Sequence, residues 1–121
     1  MKPKMIKDRC TKKKFTKCSE VAKLYDKIQI AYADALEEDP DISSFKCNVP
    51  LEDLEEGDFT TDFVCMKADG DYRVRECVWR KKLTLPRTAK LLDASKKYWL
   101  RHGVSDWGKI ITLRDHLIIL F

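Results

Sequence analysis

The side chains that most often carry metal and redox chemistry are few in this sequence, and they are widely spaced. The five cysteines are Cys10, Cys18, Cys47, Cys65 and Cys77. No Cys-x-x-Cys pair exists among them, and the two histidines, His102 and His116, lie far from them in sequence. Because zinc sites and dithiol redox sites need clustered ligands, we expect buried or idle thiols, no metal site and no other cofactor.

Acid–base chemistry would need carboxylates and histidines to meet in a buried site. Four acids crowd one short stretch: Glu52, Asp53, Glu55 and Glu56. Adjacent acids on so short a segment are usually solvated. The stretch 69–71, Asp-Gly-Asp, lacks the further spaced acids and the final glutamate of an EF-hand calcium loop. His102 and His116 have no nucleophile nearby in sequence, so we expect surface or satisfied histidines.

The motifs that cradle phosphates or activate a nucleophile are missing. The chain has four glycines, and none forms a P-loop or a dinucleotide-binding glycine pattern. Neither Gly-x-Ser-x-Gly nor His-Glu-x-x-His is present. We therefore expect a protein that is not an enzyme.

The charges are arranged in three blocks along the chain. Residues 1–18 carry eight Lys or Arg and one Asp, and residues 19–71 carry four Lys and fifteen acids. Residues 72–121 carry twelve Lys or Arg and four acids. Either the basic blocks fold against the acidic middle, or they face an anionic partner such as nucleic acid.

Length and composition favour one soluble domain. The chain has 121 residues, of which 36% are charged and 44% hydrophobic, as in ordinary globular proteins. No apolar run approaches the roughly 20 residues that span a bilayer, and the first residues lack the apolar core of a signal peptide. We expect an intracellular protein, nuclear or cytoplasmic.

The pattern up to residue 38 predicts a basic arm followed by a long helix. Residues 1–18 have too few apolar side chains to fold alone and are interpreted as the arm. Ser19 and Glu20 favour a helix start, and apolar residues then recur at spacings of three and four to about Glu38. Pro40 ends this helix.

The middle of the chain permits two structures. Residues 50–56 suit a short acidic helix, with Gly57 as its exit. Strand-forming residues and the Asp-Gly turn at 69–70 allow a hairpin that pairs 59–67 with 72–80. A helix over 72–82 explains the same apolar spacing, and we favour it because four charges would crowd one strand face.

The C-terminal part, residues 84–121, predicts three short helices. Thr84 and Pro86 favour the first start, Gly103 the first exit, and Ser105 and Thr112 the next two starts. With the long helix, this gives a mainly α fold: the arm 1–18 and one helical domain over 19–121, with a β-hairpin or extended segment as the alternative for the middle.

The same part of the chain resembles Myb/SANT repeats. The matching residues are Leu91, Leu92, Ala94, Lys97, Tyr98, Gly103, Trp107, Lys109 and Ile110. The resemblance implies three helices packed around spaced aromatic residues, with the third available to the DNA major groove. Here the third segment ends in five apolar residues, whereas base reading needs polar side chains, so we expect it to be covered by protein.

We predict a noncatalytic helical interaction subunit or adaptor of a larger assembly, and a Myb/SANT-like nucleic-acid or chromatin-associated protein as the alternative. The residues expected to meet nucleic acid or another anionic partner are Lys12, Lys13, Lys14, Arg73, Arg75, Trp79, Arg80, Lys81 and Lys82. The residues expected to meet a protein partner are Leu117, Ile118, Leu120 and Phe121.

Overall fold

A computed structural model of the protein describes residues 9–52, 54 and 59–121. The elements in chain order are β1 (Thr11–Lys13), β2 (Ala22–Leu24), α1 (Lys27–Glu38), β3 (Ile42–Leu51), β4 (Phe59–Lys67), β5 (Tyr72–Cys77), a 3-10 turn (Arg80–Lys82), α2 (Pro86–Arg101), β6 (Trp107–Leu113) and β7 (His116–Leu120). Neither helix has the length and apolar character needed to cross a membrane within these described residues.

The mainly α prediction is wrong, because strands are the larger part of the fold. Seven strands in two sheets make up 40% of the described residues, and helical residues, including those of the 3-10 turn, make up 29%. β1 and β2 form a small antiparallel sheet. The main sheet has the order β3-β4-β5-β6-β7, in which only β5 and β6 run parallel. A parallel pair needs a crossover, and α2 supplies it.

The two helices cover opposite faces of the main sheet. Neighbouring residues in β6 show this: Ile110 packs in the cluster that contains α1 residues, and Ile111 packs in the cluster that contains Leu92 of α2. Because successive strand side chains point to opposite faces, a sheet covered on both sides is apolar on both. This explains why residues 107–120 lack a clean apolar–polar alternation.

The long N-terminal helix begins later than predicted. Residues 22–24 alternate buried, exposed, buried as strand β2, and α1 begins only at Lys27. Asp26 caps it, since the carboxylate accepts a hydrogen bond from the Gln29 backbone N–H at 2.8 Å. The predicted end at Glu38 is confirmed.

The middle of the chain forms the hairpin that we ranked second. β4 pairs with β5 in antiparallel fashion, and Gly70 turns the chain with φ of 93°. The preferred helix over 72–82 is wrong, because Tyr72–Cys77 form β5. Within this range only Arg80–Lys82 are helical, as a 3-10 turn. The predicted acidic helix is also wrong where it overlaps β3, and residues 53 and 55–58 lie outside the described residues.

Only the first of the three predicted C-terminal helices is present. The helix α2 starts at Pro86, and Gly103 with φ of 82° follows its end, as predicted. The other two helices are wrong, because β6 and β7 form a hairpin across Arg114 and Asp115, whose φ angles are 51° and 64°. The predictions of a helical protein and of an apolar C-terminal docking helix are therefore wrong.

Candidate carboxylate centre

Two carboxylates hold β4 and β5 together at the point where the strands stop pairing. The ladder runs from Met66 with Tyr72 to Phe63 with Arg75. One step further, the Asp62 backbone N–H donates to Glu76 Oε1 at 2.8 Å, and the Cys77 N–H donates to Asp62 Oδ2 at 2.8 Å. Each carboxylate thus binds a backbone amide on or beside the other acid.

Gln29 joins this pair to the start of α1. Its Nε2 donates to Asp62 Oδ1 at 2.7 Å and to Asn48 Oδ1 at 2.8 Å, and its Oε1 accepts from the Tyr25 N–H at 2.8 Å. Asn48 adopts a φ of 56° within β3, and its Nδ2 donates to the Lys23 carbonyl at 2.6 Å. The capped first turn of α1 therefore places a carboxamide directly on Asp62.

The second oxygen of Glu76 faces α2. Glu76 Oε2 accepts from Ser95 Oγ at 2.6 Å and from Thr61 Oγ1 at 3.0 Å. Two indoles support these hydroxyls: Trp107 Nε1 donates to Ser95 at 3.1 Å, and Trp99 Nε1 donates to Thr61 at 2.9 Å. The carboxylate centre, defined here as Gln29, Asp62 and Glu76, therefore connects both helices through the sheet.

The centre is buried, and this controls its ionisation. Asp62 is 1% exposed and Glu76 0%. Burial, and next the charge of Asp62, raise the pKa of Glu76 to about 8. Within residues 9–52, 54 and 59–121 no Lys or Arg forms a salt bridge with Glu76. Burial beside Asp62, with no Lys or Arg partner among the described residues, therefore favours the protonated form of Glu76.

A groove lies next to the centre, on the side of β2 and β3. Its volume is about 580 Å³, and its lining includes Tyr25, Asn48 and Thr60. Asn48 is hydrogen-bonded to Gln29, so the groove wall touches the centre directly. The buried Thr60 hydroxyl has no hydrogen-bond partner in the described part of the chain. The groove therefore ends at Asn48, one hydrogen bond away from Gln29 of the centre.

The oxygen atoms of the centre suit a hard divalent cation. Carboxylates and carboxamides are ligands of Mg²⁺, which one or two protein carboxylates commonly hold together with water and substrate phosphates. Among the described residues no group of three or more His, Cys, Asp or Glu could hold a metal. A cation at Asp62 and Glu76 would therefore take its remaining ligands from water or substrate.

The structure separates the predicted cationic residues into three places. Lys12, Lys13 and Lys14 are exposed in and beside β1, and Lys13 forms a salt bridge with Asp34. Trp79, 37% exposed, precedes the 3-10 turn, whose three cationic side chains are all exposed. Arg73 and Arg75 lie on β5, away from this turn in the ladder.

Arg73 and Arg75 are engaged inside the protein. Arg75 is 2% exposed and donates to Asp106 Oδ1 at 2.8 Å, while Arg73 lies 3.4 Å from Asp106 Oδ2 and 3.7 Å from Asp39 Oδ2. Burial opposes the ionisation of Asp106, but the hydrogen bond and the charge of Arg75 outweigh it and lower the pKa of Asp106. These arginines stabilise the β5–β6 junction.

Sequence reasoning missed the cations of α2. Arg87, Lys90, Lys97 and Arg101 are all exposed, and their spacing puts them along one side of the helix. Their acidic neighbour Asp93 binds Lys97 at 3.0 Å. Together with Arg80, Lys81 and Lys82 these four residues form what we call the basic face. The sequence did contain a signal for this surface, because these cations alternate along the helix with Leu91, Leu92 and Ser95, which are buried.

The predicted protein-contact residues lie on β7, or directly after it in the case of Phe121, and those on β7 face both sides of the sheet. Leu117 packs against the α1-side cluster, and Ile118 and Leu120 pack against the α2-side cluster. Phe121 is 74% exposed, and the Arg75 guanidinium lies 5.1 Å from its ring centre.

Sequence reasoning also missed the whole carboxylate centre. The only local signal was an acid inside each of two strand-forming runs, Asp62 between Thr61 and Phe63, and Glu76 before Cys77. Acids are almost never fully buried unless they are paired or have a special role.

No protein-family model matches this chain, and no curated protein sequence is detectably similar to it. The Myb/SANT resemblance therefore stays a prediction.

Proposed function

We propose that this protein hydrolyses phosphodiester bonds in nucleic acid with a divalent cation held by Asp62 and Glu76. The observation that carries the proposal is the carboxylate centre itself: two buried acids on neighbouring strands, with a carboxamide bound to Asp62 and a groove whose wall residue Asn48 is hydrogen-bonded to that carboxamide. A buried acid with a raised pKa, such as Glu76, indicates a candidate functional site. This departs from the sequence-based expectation of a noncatalytic protein.

A cation at the centre would compete with the hydrogen bonds that its acids accept. An ionised carboxylate has about four lone-pair sites. Asp62 uses one oxygen for Gln29 and the other for Cys77, and Glu76 accepts three hydrogen bonds. A bound Mg²⁺ would displace the Glu76 proton, because metal ligands must be deprotonated.

The chemistry supplied by such a cation is Lewis-acid activation. Mg²⁺ held by Asp62 and Glu76 would polarise a phosphoryl oxygen and lower the pKa of water, which would lose a proton to solvent and replace the leaving oxygen at phosphorus, and that oxygen would take a proton from solvent. Gln29 would orient the Asp62 carboxylate, and Asn48 would hold Gln29 in place.

The substrate class follows from the surface charge. The basic face carries seven exposed Lys or Arg residues, with Trp79 at its start. A row of cations beside an aromatic side chain fits a phosphate polymer whose bases can stack. The chain as a whole is also basic, with a net charge of +4.

A second candidate function is nucleic-acid binding without cleavage. This candidate is favoured by the hydrogen bonding of the centre. Every carboxylate oxygen of Asp62 and Glu76 already accepts a hydrogen bond from the protein. In this case the network only locks β4, β5 and α2 together, and the basic face performs the function.

One assay separates the two candidates. Fluorescently labelled single-stranded and duplex DNA and RNA are incubated with the protein in Mg²⁺, in Mn²⁺ or in EDTA. The proposal expects cleavage only with the metal, lost in Asp62→Asn and retained in Asp93→Asn, whose acid lies exposed on α2. Binding with no cleavage under any metal condition would replace hydrolysis by the second candidate. The absence of both would reject each of them.

A further inference from the structure

We infer that two copies of this chain associate through the free edge of β7, which pairs with itself in antiparallel fashion. Among the described strands, β7 is the last of the main sheet and pairs only with β6. This inference is independent of the proposed hydrolysis.

The turn geometry shows which backbone groups face the open edge. A two-residue loop with positive φ at Arg114 and Asp115 corresponds to a type I′ hairpin. In such a hairpin the residues that flank the loop, Leu113 and His116, exchange hydrogen bonds, and every second pair does so after them. The N–H and C=O groups of Leu117 and Ile119 therefore point away from β6.

The side chains along this edge are apolar and partly uncovered. Ile119 is 42% exposed and Phe121 74%, and both lie on the face to which Leu117 belongs. Residues 117–121 contain no charged residue and no proline. Proteins usually protect an exposed edge strand with charges, proline or a bulge. An edge without these features is a template for strand pairing.

A second copy is the occupant that fits the edge by symmetry. A twofold axis normal to the sheet at Ile119 sets Ile119 opposite its own copy and Leu117 opposite Phe121. Leu117, Ile119 and, by the same alternation, Phe121 have backbone groups that face away from β6, so the Ile119–Ile119 pair and the two Leu117–Phe121 pairs would exchange hydrogen bonds across the axis. The same pairing packs the exposed side chains of Ile119 and Phe121 against apolar side chains of the other copy. Such isologous contacts are the commonest basis of homodimers.

The first test is the molecular mass in solution. Sedimentation equilibrium of the full chain from 1 to 200 µM is expected to show a concentration-dependent dimer. Ile119→Lys, which places like charges opposite each other at the axis, is expected to weaken dimerisation at least tenfold with an unchanged circular dichroism spectrum. Leu100→Lys, on the α2 surface and 61% exposed in the wild type, is the matched control and should leave the dimer intact.

The second test checks the register. Directly paired residues of a hydrogen-bonded antiparallel pair have Cα atoms about 5.5 Å apart, within the range of a disulfide. Ile119→Cys treated with diamide should therefore form a covalent dimer, while the wild type with its five native cysteines should not. A monomer at every concentration, together with no cross-linking of Ile119→Cys, would overturn the inference.

Discussion

Glu76 shows how one buried residue couples protonation to the stability of the fold. Its carboxyl group is fully buried and receives hydrogen bonds from β4 and α2. Its pKa rises from 4.5 to about 8 in the folded chain, first through burial and then through the charge of Asp62. Between these two pH values the folded state holds a proton that the unfolded state has lost, so this group stabilises the fold most at low pH.

Glu76→Gln tests this coupling. The stability contribution of Glu76 is complete below about pH 4.5 and is lost as the pH rises through about 8, by up to roughly 1 kcal/mol per pH unit. The variant cannot titrate, so the difference in free energy of unfolding between variant and wild type should shift in favour of the variant from pH 5 to pH 8. Urea unfolding at several pH values measures it. A difference that stays constant over this range would contradict the assignment.

Asp106→Asn tests the arginine pair at the β5–β6 junction. The variant leaves Arg75, which is 2% exposed, without its negative partner, and we expect a loss of about 3 kcal/mol at pH 7. Because the pKa of Asp106 is lowered in the fold, the difference should shrink as the pH falls through that lowered value. Asp93→Asn, which removes an exposed pair with Lys97, should cost less than about 1 kcal/mol.

At the scale of elements, the limits of α2 and the Asp-Gly turn between β4 and β5 could be read from the sequence, and the β6–β7 hairpin could not. The start of α2 at Pro86 and its exit at Gly103 follow from local rules that act within one turn of chain. The hairpin after it gave no such signal, because its turn uses Arg114 and Asp115 where Asn-Gly is the usual sign. The apolar run of β7 then fits a buried helix and a buried strand equally well.

The basic face predicts a salt-dependent interaction that belongs to two elements. Reversing the charges of Arg80, Lys81 and Lys82 should weaken nucleic-acid binding and reduce the slope of log affinity against log salt by about 0.9 for each lost phosphate contact on duplex DNA. Fluorescence anisotropy from 50 to 300 mM salt measures both quantities. Reversing Lys12, Lys13 and Lys14 instead asks whether β1 contributes. If the charge reversal of Arg80, Lys81 and Lys82 leaves the salt dependence of the affinity unchanged, these residues do not contact nucleic acid.

At the scale of the whole molecule, the carboxylate centre exists only because the chain folds back on itself. Its hydrogen bonds join residues that are far apart in sequence. The separation is 33 residues for Gln29 and Asp62, 14 for Asp62 and Glu76, and 19 for Glu76 and Ser95. No local sequence pattern links these positions. The predicted helix over 72–82 also gave no reason to place Glu76 next to Asp62, because the two acids meet only when β4 and β5 pair as strands. Sequence reasoning therefore found the basic turn at 80–82 but missed the site that the topology assembles.

Cation binding should be visible as a change in the stability of the whole fold. Mg²⁺ bound to Asp62 and Glu76 stabilises the folded chain by mass action, so the melting temperature should rise with Mg²⁺ concentration. The rise should be larger at pH 8.5 than at pH 6.5, because Glu76 must lose its proton to bind the ion. Differential scanning fluorimetry measures this, with Asp62→Asn as the variant expected to show no Mg²⁺-dependent rise.

The most direct test of the account is the rate of Mg²⁺-dependent cleavage of labelled nucleic acid between pH 6 and pH 9. We predict that wild-type cleavage increases as Glu76 deprotonates, and that Asp62→Asn lowers the rate at least about 100-fold while remaining folded and able to bind nucleic acid. A wild-type protein that binds nucleic acid but leaves it intact at every pH would contradict the proposed function.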